Sequence, residues 1–346
     1  MLGIELTPEH SPARVTELGT AAEAAGYDTV FVSHHYNNRD ATAVLARLAS
    51  ETETVRLGPG VANPLESHPV TLASELATLD ELSDGRAVFG LGPGDPSTLQ
   101  NLGLSDERGL RPVLEAFETA RALWAGERVD GKRTFDADDA GLNYTPPQGA
   151  GIPVYVGGEG PHMCRMAGKR ADGLLFNGSH PDDLAWTRDR VEEGLEQRAS
   201  PEHDDAGGSD GTEGGDQTDA FDLAAYASVS VADDPEAARE AARPPVAFVA
   251  AGSPPPVRQR HGIDGERADE IGDLIAAGEF TEAFGRVTPA MIEAFCMAGT
   301  PATVADRIDA VLEYADSLVV GSPLGPDLDA AVELAAEAAP ETIRET

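Results

Sequence analysis

Lysine is almost missing from this sequence: Lys132 and Lys169 are the only two, and the other strongly basic residues are arginines. Basic charge is scarce altogether, with 25 Lys and Arg against 61 Asp and Glu and a formal net charge of −36. That balance argues against nucleic acid as a partner, because nothing offsets phosphate repulsion. It argues equally against an anionic membrane surface. Self-repulsion of this size destabilises a compact state at low salt. A halophilic setting is therefore expected, with molar salt and a Debye length of about 3 Å. Cysteine occurs only twice, at Cys164 and Cys296. That is too few for a disulfide framework or a metal cluster, and both are expected to pack as small apolar side chains. No apolar run approaches the length of a membrane span. The opening Met1-Leu2-Gly3-Ile4-Glu5 reads as a strand rather than a secretory leader, so a cytoplasmic protein is expected.

What is present is a repeat. Leu57-Gly58-Pro59-Gly60 ends one apolar run and Leu91-Gly92-Pro93-Gly94 ends another, 34 residues later. Between them a helical pattern from Pro69 carries Leu72, Ala73, Leu76 and Leu79 on one face. The order is strand, loop, helix, strand, loop. Each copy sits where a parallel strand leaves its sheet, which is the ligand-binding edge of α/β folds. Gly60 and Gly94 are read as sites where a flat ligand approaches bare backbone.

The same rhythm runs through the chain. Strands are expected at 2–6, 28–33, 54–57, 86–91, 152–156, 173–176, 221–232 and 317–320, with helical patterns between them. Eight β/α units in 346 residues is the count of a (β/α)8 TIM barrel, an α/β fold in one domain. The stretch 200–218 is rich in Gly, Asp, Ser and Glu and is expected to be an acidic flexible loop. Residues 235–298 are expected to form a mostly helical insertion after strand seven, broken by Gly252-Ser253-Pro254-Pro255-Pro256. It is longer than a normal crossover and reads as a lid or an interface.

Polar groups collect at the expected strand ends: Glu5, Ser33, His34, His35, Tyr36, Asn63, Asp95 and Asn177. Adjacent residues on a strand point to opposite faces, so His34 and His35 are not expected to share a metal ion, and one of them is expected to face the mouth. No metal site is expected. Glu5 and Asp95 are the candidate acid/base groups, with capping of nearby backbone as the competing reading. Gly157-Gly158-Glu159-Gly160-Pro161 leads into a helix N-terminus whose N–H groups suit a phosphate, though it matches neither a Walker loop nor a Rossmann fingerprint. Arg258, Arg260 and His261 either meet an anionic ligand tail or offset the surrounding acid.

Several of these pieces together resemble a known family. They are His35-Tyr36-Asn37-Asn38, Leu57-Gly58-Pro59-Gly60-Val61, Gly90-Leu91-Gly92-Pro93-Gly94-Asp95, Ala250-Ala251-Gly252-Ser253-Pro254-Pro255-Pro256-Val257 and Gly321-Ser322-Pro323-Leu324-Gly325-Pro326-Asp327. The chain resembles the methylene-tetrahydromethanopterin reductases that use the deazaflavin coenzyme F420, within the bacterial luciferase-like barrel superfamily. The resemblance implies hydride transfer from reduced F420 to the methylene carbon of a pterin substrate, with no flavin or metal. It implies a cis Gly60–Val61 peptide behind the deazaflavin ring, His35 against the ring, and the coenzyme phosphate at Gly158, Glu159, Gly160 and Pro161. Asn63 and Asn177 complete the expected coenzyme set, Glu5 and Asp95 are the expected catalytic carboxylates, and a homo-oligomer, dimer or tetramer, is expected. One departure touches the mouth: His34 stands where these reductases usually carry aspartate. A methylene-tetrahydrofolate reductase on the same scaffold, or another F420- or FMN-dependent oxidoreductase of the superfamily, is the competing reading.

Overall fold

Among the described residues the strands pair in parallel, apart from one isolated antiparallel bridge, Val129–Ala140. The computed structural model describes residues 1–104, 109–199 and 221–344, so the expected acidic loop at 200–218 lies outside the described residues. The strands are β1 (Leu2–Leu6), β2 (Thr29–Val32), β3 (Arg56–Pro59), β4 (Phe89–Leu91), β5 (Val154–Gly157), β6 (Gly173–Asn177), β7 (Asp222–Val231), β8 (Met297–Gly299) and β9 (Ser317–Leu324). Hydrogen bonding follows the order β3-β2-β1-β9-β7-β6-β5-β4. Parallel bridges Leu57–Ala87 and Ala62–Leu91 join β3 to β4 and close the ring. The result is an eight-stranded (β/α)8 barrel with helices around it.

Two expectations are corrected here. The eighth stave is the longer β9, which continues through Gly321, Ser322 and Pro323 to Leu324. The ninth strand, β8, falls at the end of the stretch read as helical. It pairs with β7 at Val229, Ser230 and Val231, beyond the point where β6 stops. Three residues are too few to show a period, so only the pairing reveals this strand.

Alternation along the strands sorts the core into layers. Ile4, Val30, Val32, Val154, Val156, Leu174, Leu318 and Val320 point outward and pack under the helices. Phe31, Val88, Tyr155, Leu175, Ala224 and Val319 point inward and fill the barrel. The edge-on Phe31 and Tyr155 rings, 6.5 Å apart, close the barrel from below. The same alternation turns Glu5, paired in register with Phe31, and Tyr226, paired with Val319, toward the interior at the C-terminal end.

Between β7 and β8 stand the helices Pro235–Gly252, Pro255–Arg260, Gly265–Ala276, Phe280–Gly285 and Pro289–Phe295. They share an apolar cluster of their own around Val246, Ile271, Met291 and Phe295. Among the described residues no helix is long and apolar enough to cross a membrane.

Candidate active site

Glu5 stands at the floor of a cavity of about 560 Å³ in the barrel mouth. Its Oε2 accepts the backbone N–H of Ser322 at 3.3 Å. Gly321 makes room for it, since a Cβ there would stand 3.3 Å from the same oxygen. Burial raises the Glu5 pKa; the Ser322 amide and the Tyr226 and Ser33 hydroxyls oppose that rise without cancelling it. The carboxyl group therefore holds its proton more firmly than an exposed glutamate. Burial and the Glu5 charge together raise the Tyr226 pKa well above the usual phenol value. Tyr226 is thus a standing hydrogen-bond donor, aimed at Glu5 and 3.5 Å from the Gly60 carbonyl oxygen.

The Gly60–Val61 peptide is cis. Val61 is seated against three glycines. A Cβ on Gly92 would stand 2.6 Å from Val61 Cγ2, and one on Gly157 would stand 3.0 Å from Cγ1. Gly90 presses on the chain itself, since its Cβ would fall 2.1 Å from the Pro59 carbonyl oxygen. Gly60 and Gly94 border the cavity and also have contacts within the protein. Gly60 is needed because a Cβ there would meet the Tyr226 hydroxyl at 2.8 Å and the Phe31 Cβ at 2.9 Å. Gly94 is needed because its φ is +81° and a Cβ would lie 2.1 Å from Asn63 Nδ2. Both glycines therefore serve close packing as well as lining the mouth.

The other candidates spread around the rim. His34 and His35 lie past the end of β2, so strand alternation does not govern them, and both border the cavity. The expectation that only one would face the mouth is corrected by that position. His34 Nδ1 is 4.0 Å from Glu66 Oε2. Asn63 is buried and spent on its own loop: Oδ1 accepts Leu65 N–H at 2.8 Å and Nδ2 donates to Glu66 Oε1 at 3.1 Å. Asp95 is exposed on the rim and caps the helix Pro96–Asn101, accepting Thr98 N–H at 2.9 Å. Among the described residues no three His, Cys, Asp or Glu side chains converge on a point that could hold a metal ion.

A second cavity, of about 500 Å³, opens beside the first. Glu159 and Asn177 border both, and Asn177 Nδ2 donates to Glu159 Oε1 at 3.0 Å in the doorway between them. Gly158 lines the first cavity, whereas Gly160 and Pro161 line the second. Gly160 caps the helix Pro161–Arg170 without a side-chain bond. Arg260 does not stand ready for an anion. It is paired with Asp183, which also takes His261 Nε2 at 2.8 Å, and its guanidinium lies 5.2 Å from the centre of the Trp186 ring. Arg258 is likewise occupied, by Asp269 at 2.6 Å.

The family model described as luciferase-like monooxygenase matches residues 2–318. The chain belongs to that family. Within the luciferase-like family, a 5,10-methylenetetrahydromethanopterin reductase of Methanopyrus kandleri is 38% identical over 348 residues, spanning 96% of this chain and 95% of that protein. The enzyme of the same name from Archaeoglobus fulgidus is 37% identical over 339 residues, spanning 96% of each chain. The solved structure of the coenzyme F420 dependent tetrahydromethanopterin reductase of Methanopyrus kandleri superposes with a TM-score of 0.89, at 36% identity, over 99% of both chains.

Sequence reasoning missed Tyr226, Glu66 and Ser322. Tyr226 left a trace: it is the one large polar side chain in Asp222–Val231, among alanines, serines and valines. Ser322 stood in the quoted Gly321-Ser322-Pro323 motif without a role, since its contribution is a backbone N–H, and Glu66 left no trace because it enters the site through loop geometry.

Proposed function

We propose that this chain reduces the methylene group of methylene-tetrahydromethanopterin to a methyl group, taking hydride from reduced coenzyme F420. The observation that carries this reading is the near end-to-end match to the F420-dependent reductase, at 36% identity and a TM-score of 0.89, with the Glu5–Tyr226–Gly60 cluster at the barrel mouth.

The residues present fit the coenzyme. Gly60 and Val61 line the cavity, and Gly92 and Gly157 leave room for the Val61 side chain, an apolar surface of the kind a ring system packs against. His35, Gly158, Glu159 and Asn177 border the same cavity and would hold the coenzyme there. The helix start after Gly160 lacks a side-chain cap, and its positive dipole end would face the phosphate, with Pro161 fixing the backbone and contributing no N–H. When bound, the coenzyme supplies a hydride to an electron-poor carbon.

The chain's own task is proton handling and placement. The methylene carbon bridges two nitrogens, and one carbon–nitrogen bond must break before that carbon can accept hydride. Glu5, whose pKa burial raises, donates a proton to the departing nitrogen. The carboxylate it leaves faces the resulting cationic carbon–nitrogen double bond and stabilises it. Tyr226 holds that carboxylate in position throughout. Asn63, Glu66 and Asp95 fix the rim loops, so the two ligands meet in one orientation. We also infer a salt-adapted host, supported by the net charge of −36.

The test is reoxidation of chemically reduced F420 by purified protein in molar potassium chloride. Oxidation with methylene-tetrahydromethanopterin is expected. Oxidation with methylene-tetrahydrofolate alone would move the substrate, and oxidation with neither would overturn the reading.

A further inference from the structure

The joint between the barrel and the insertion is built around two histidines. His180 stands immediately before the helix Pro181–Ala199, and its Nδ1 accepts the backbone N–H of Asp182 at 3.2 Å. That bond is a cap, satisfying one of the donors that a helix start leaves open. It needs a lone pair on Nδ1, so the closed joint holds His180 neutral. On the other side stands His261, which ends the insertion helix Pro255–Arg260. The two imidazoles meet edge to face, 4.7 Å apart. His261 is 3% exposed, packs on the Phe295 ring at 5.9 Å, and reaches the Asp183 carboxylate through Nε2 at 2.8 Å.

The charges around His180 come from four elements. On its own helix, Asp182 Oδ2 lies 3.7 Å from Nδ1 but is exposed, and Asp183 is nearly buried. From the insertion, Arg260 and His261 already engage Asp183. Arg307 arrives from the helix Pro301–Leu312 and donates to the Ser179 carbonyl oxygen at 3.1 Å. Its partner is Glu293 of the helix Pro289–Phe295, at 2.7 Å. A proton on His180 would be costly in three ways. It would turn the cap acceptor into a donor facing another N–H. It would set a cation at the positive end of a helix. It would add charge beside His261 and Arg307, where the nearly buried Asp183 is already taken. Burial and the facing His261 lower the His180 pKa; Asp182 and Asp183 oppose this, Arg307 adds to it, and the net direction stays downward.

We infer that His180 and His261 form a pH-sensitive latch, which holds the insertion to the helix after β6 near neutrality and releases it in mild acid. The Asp183–His261–Arg260 cluster fastens the two sides, and the protonation of His180 decides whether the fastening holds. A histidine whose folded-state pKa is lowered stabilises the joint above its ordinary value. That contribution is lost as pH falls from the ordinary histidine range through the folded-state value. The cost falls on contacts among helices and not on the barrel strands, so the joint opens before the barrel does. Asp183, Arg260 and Phe295 also line the second cavity, so release uncovers it. The latch goes beyond the reductase reading and does not depend on which substrate the mouth takes.

Hydrogen–deuterium exchange of the full chain in molar potassium chloride tests this. It is run at about pH 7.5 and about pH 5.5, on either side of the ordinary histidine pKa of about 6.5, and corrected for intrinsic exchange. Protection of residues 182–199 and 246–263 is expected to fall about tenfold in acid, the size of one lost cap plus one adverse charge at a helix start. Protection of Leu2–Leu6 in β1 should not change. His180→Asn keeps a cap acceptor and cannot take the proton, so its protection should be the same at both pH values. Equal protection of wild type at both pH values would overturn the inference. A loss shared by β1 would overturn it too, as general acid destabilisation. So would a loss retained in His180→Asn, which would belong to another group. Should His180→Asn fail to fold, His261→Gln keeps an N–H for Asp183 and removes the facing imidazole. The loss should then shrink, and a loss of wild-type size would sink the latch.

Discussion

The Tyr226 hydroxyl stands 3.5 Å from the Gly60 carbonyl oxygen and borders the same cavity as the Glu5 carboxyl group. One phenol therefore lies between β1, β7 and the end of β3. This closeness makes the site open to testing at single atoms.

Glu5→Gln keeps the shape of the side chain and removes its proton. Turnover is expected to fall by about 10²- to 10⁴-fold, the usual contribution of a general acid. Coenzyme affinity should be retained. The stability effect has the opposite sign. Burial raises the Glu5 pKa, so its contribution is present at low pH and is lost as pH rises through the folded-state value. Above neutrality the variant should therefore melt higher than wild type, and in acid the difference should vanish. Thermal melts across pH in molar potassium chloride check this. A lower melting temperature at alkaline pH would mean that the ionised carboxylate is a net structural asset.

Tyr226→Phe separates the two partners. The phenol lowers the Glu5 pKa by bonding the carboxylate, so its removal lets that pKa climb further. The alkaline limb of the turnover profile should then move up by about one pH unit, the worth of one hydrogen bond to a charge. A shift downward would show that Tyr226 favours the protonated acid instead.

The barrel was legible in the sequence because its signals are local and repeated. The period of two in strands such as Leu2–Leu6, and the helix starts at Ser11-Pro12 and Thr300-Pro301, report on neighbours only a few residues away. Glu5 and Asp95 were visible as carboxylates at strand ends. Their difference was not, because it depends on burial: Glu5 lies over the packed interior, while Asp95 turns back to cap its own helix. Gly60 and Gly94 of the repeat were legible as cavity-lining positions, but their contacts within the protein were not. What presses on Gly60 is Tyr226, 166 residues away, and no spacing rule reaches that far. The second cavity was hidden for the same reason, since the helix after β6 and the insertion meet only in space.

Gly92→Ala tests the seat of Val61. The added methyl would stand 2.6 Å from Val61 Cγ2, inside any real contact, so Val61 must shift. Overpacking of this kind costs about 1–3 kcal/mol. F420 affinity, measured by fluorescence, is expected to fall together with the melting temperature. Gly285→Ala is the control, because a Cβ there meets nothing within 4 Å. If Gly92→Ala binds the coenzyme as wild type does, Val61 is not the ring wall.

Asp183→Ala tests the fastening of the insertion. The carboxylate is nearly buried and carries both Arg260 and His261, so its loss leaves the partly buried Arg260 guanidinium without its carboxylate. Breaking a fully buried pair costs about 3–5 kcal/mol, and the partial exposure of Arg260 brings the expected cost below that. Burial works against ionisation of Asp183, but the bonds from His261 and Arg260 outweigh it and lower the pKa. Its stabilising contribution is therefore present above the ordinary carboxylate range and is lost as pH falls through the lower folded-state value. Denaturant titrations of wild type and variant should differ most near neutrality and converge in acid. A constant gap at all pH values would assign the cost to packing alone.

Salt should act on the whole fold through the sign of its charge. Surface pairs such as Arg14–Asp329, at 2.8 Å, are weakened by added salt. Repulsion among the carboxylates is weakened as well, and 61 acidic residues against 25 basic ones make repulsion the larger effect. Screening shortens its reach from about 10 Å at 0.1 M to about 3 Å at 1 M. The melting temperature is therefore expected to rise with potassium chloride over that range, and F420 reoxidation to rise with it. A melting temperature that stays flat or falls would show that the ion pairs govern, and the acidic surplus would then need a cause other than salt.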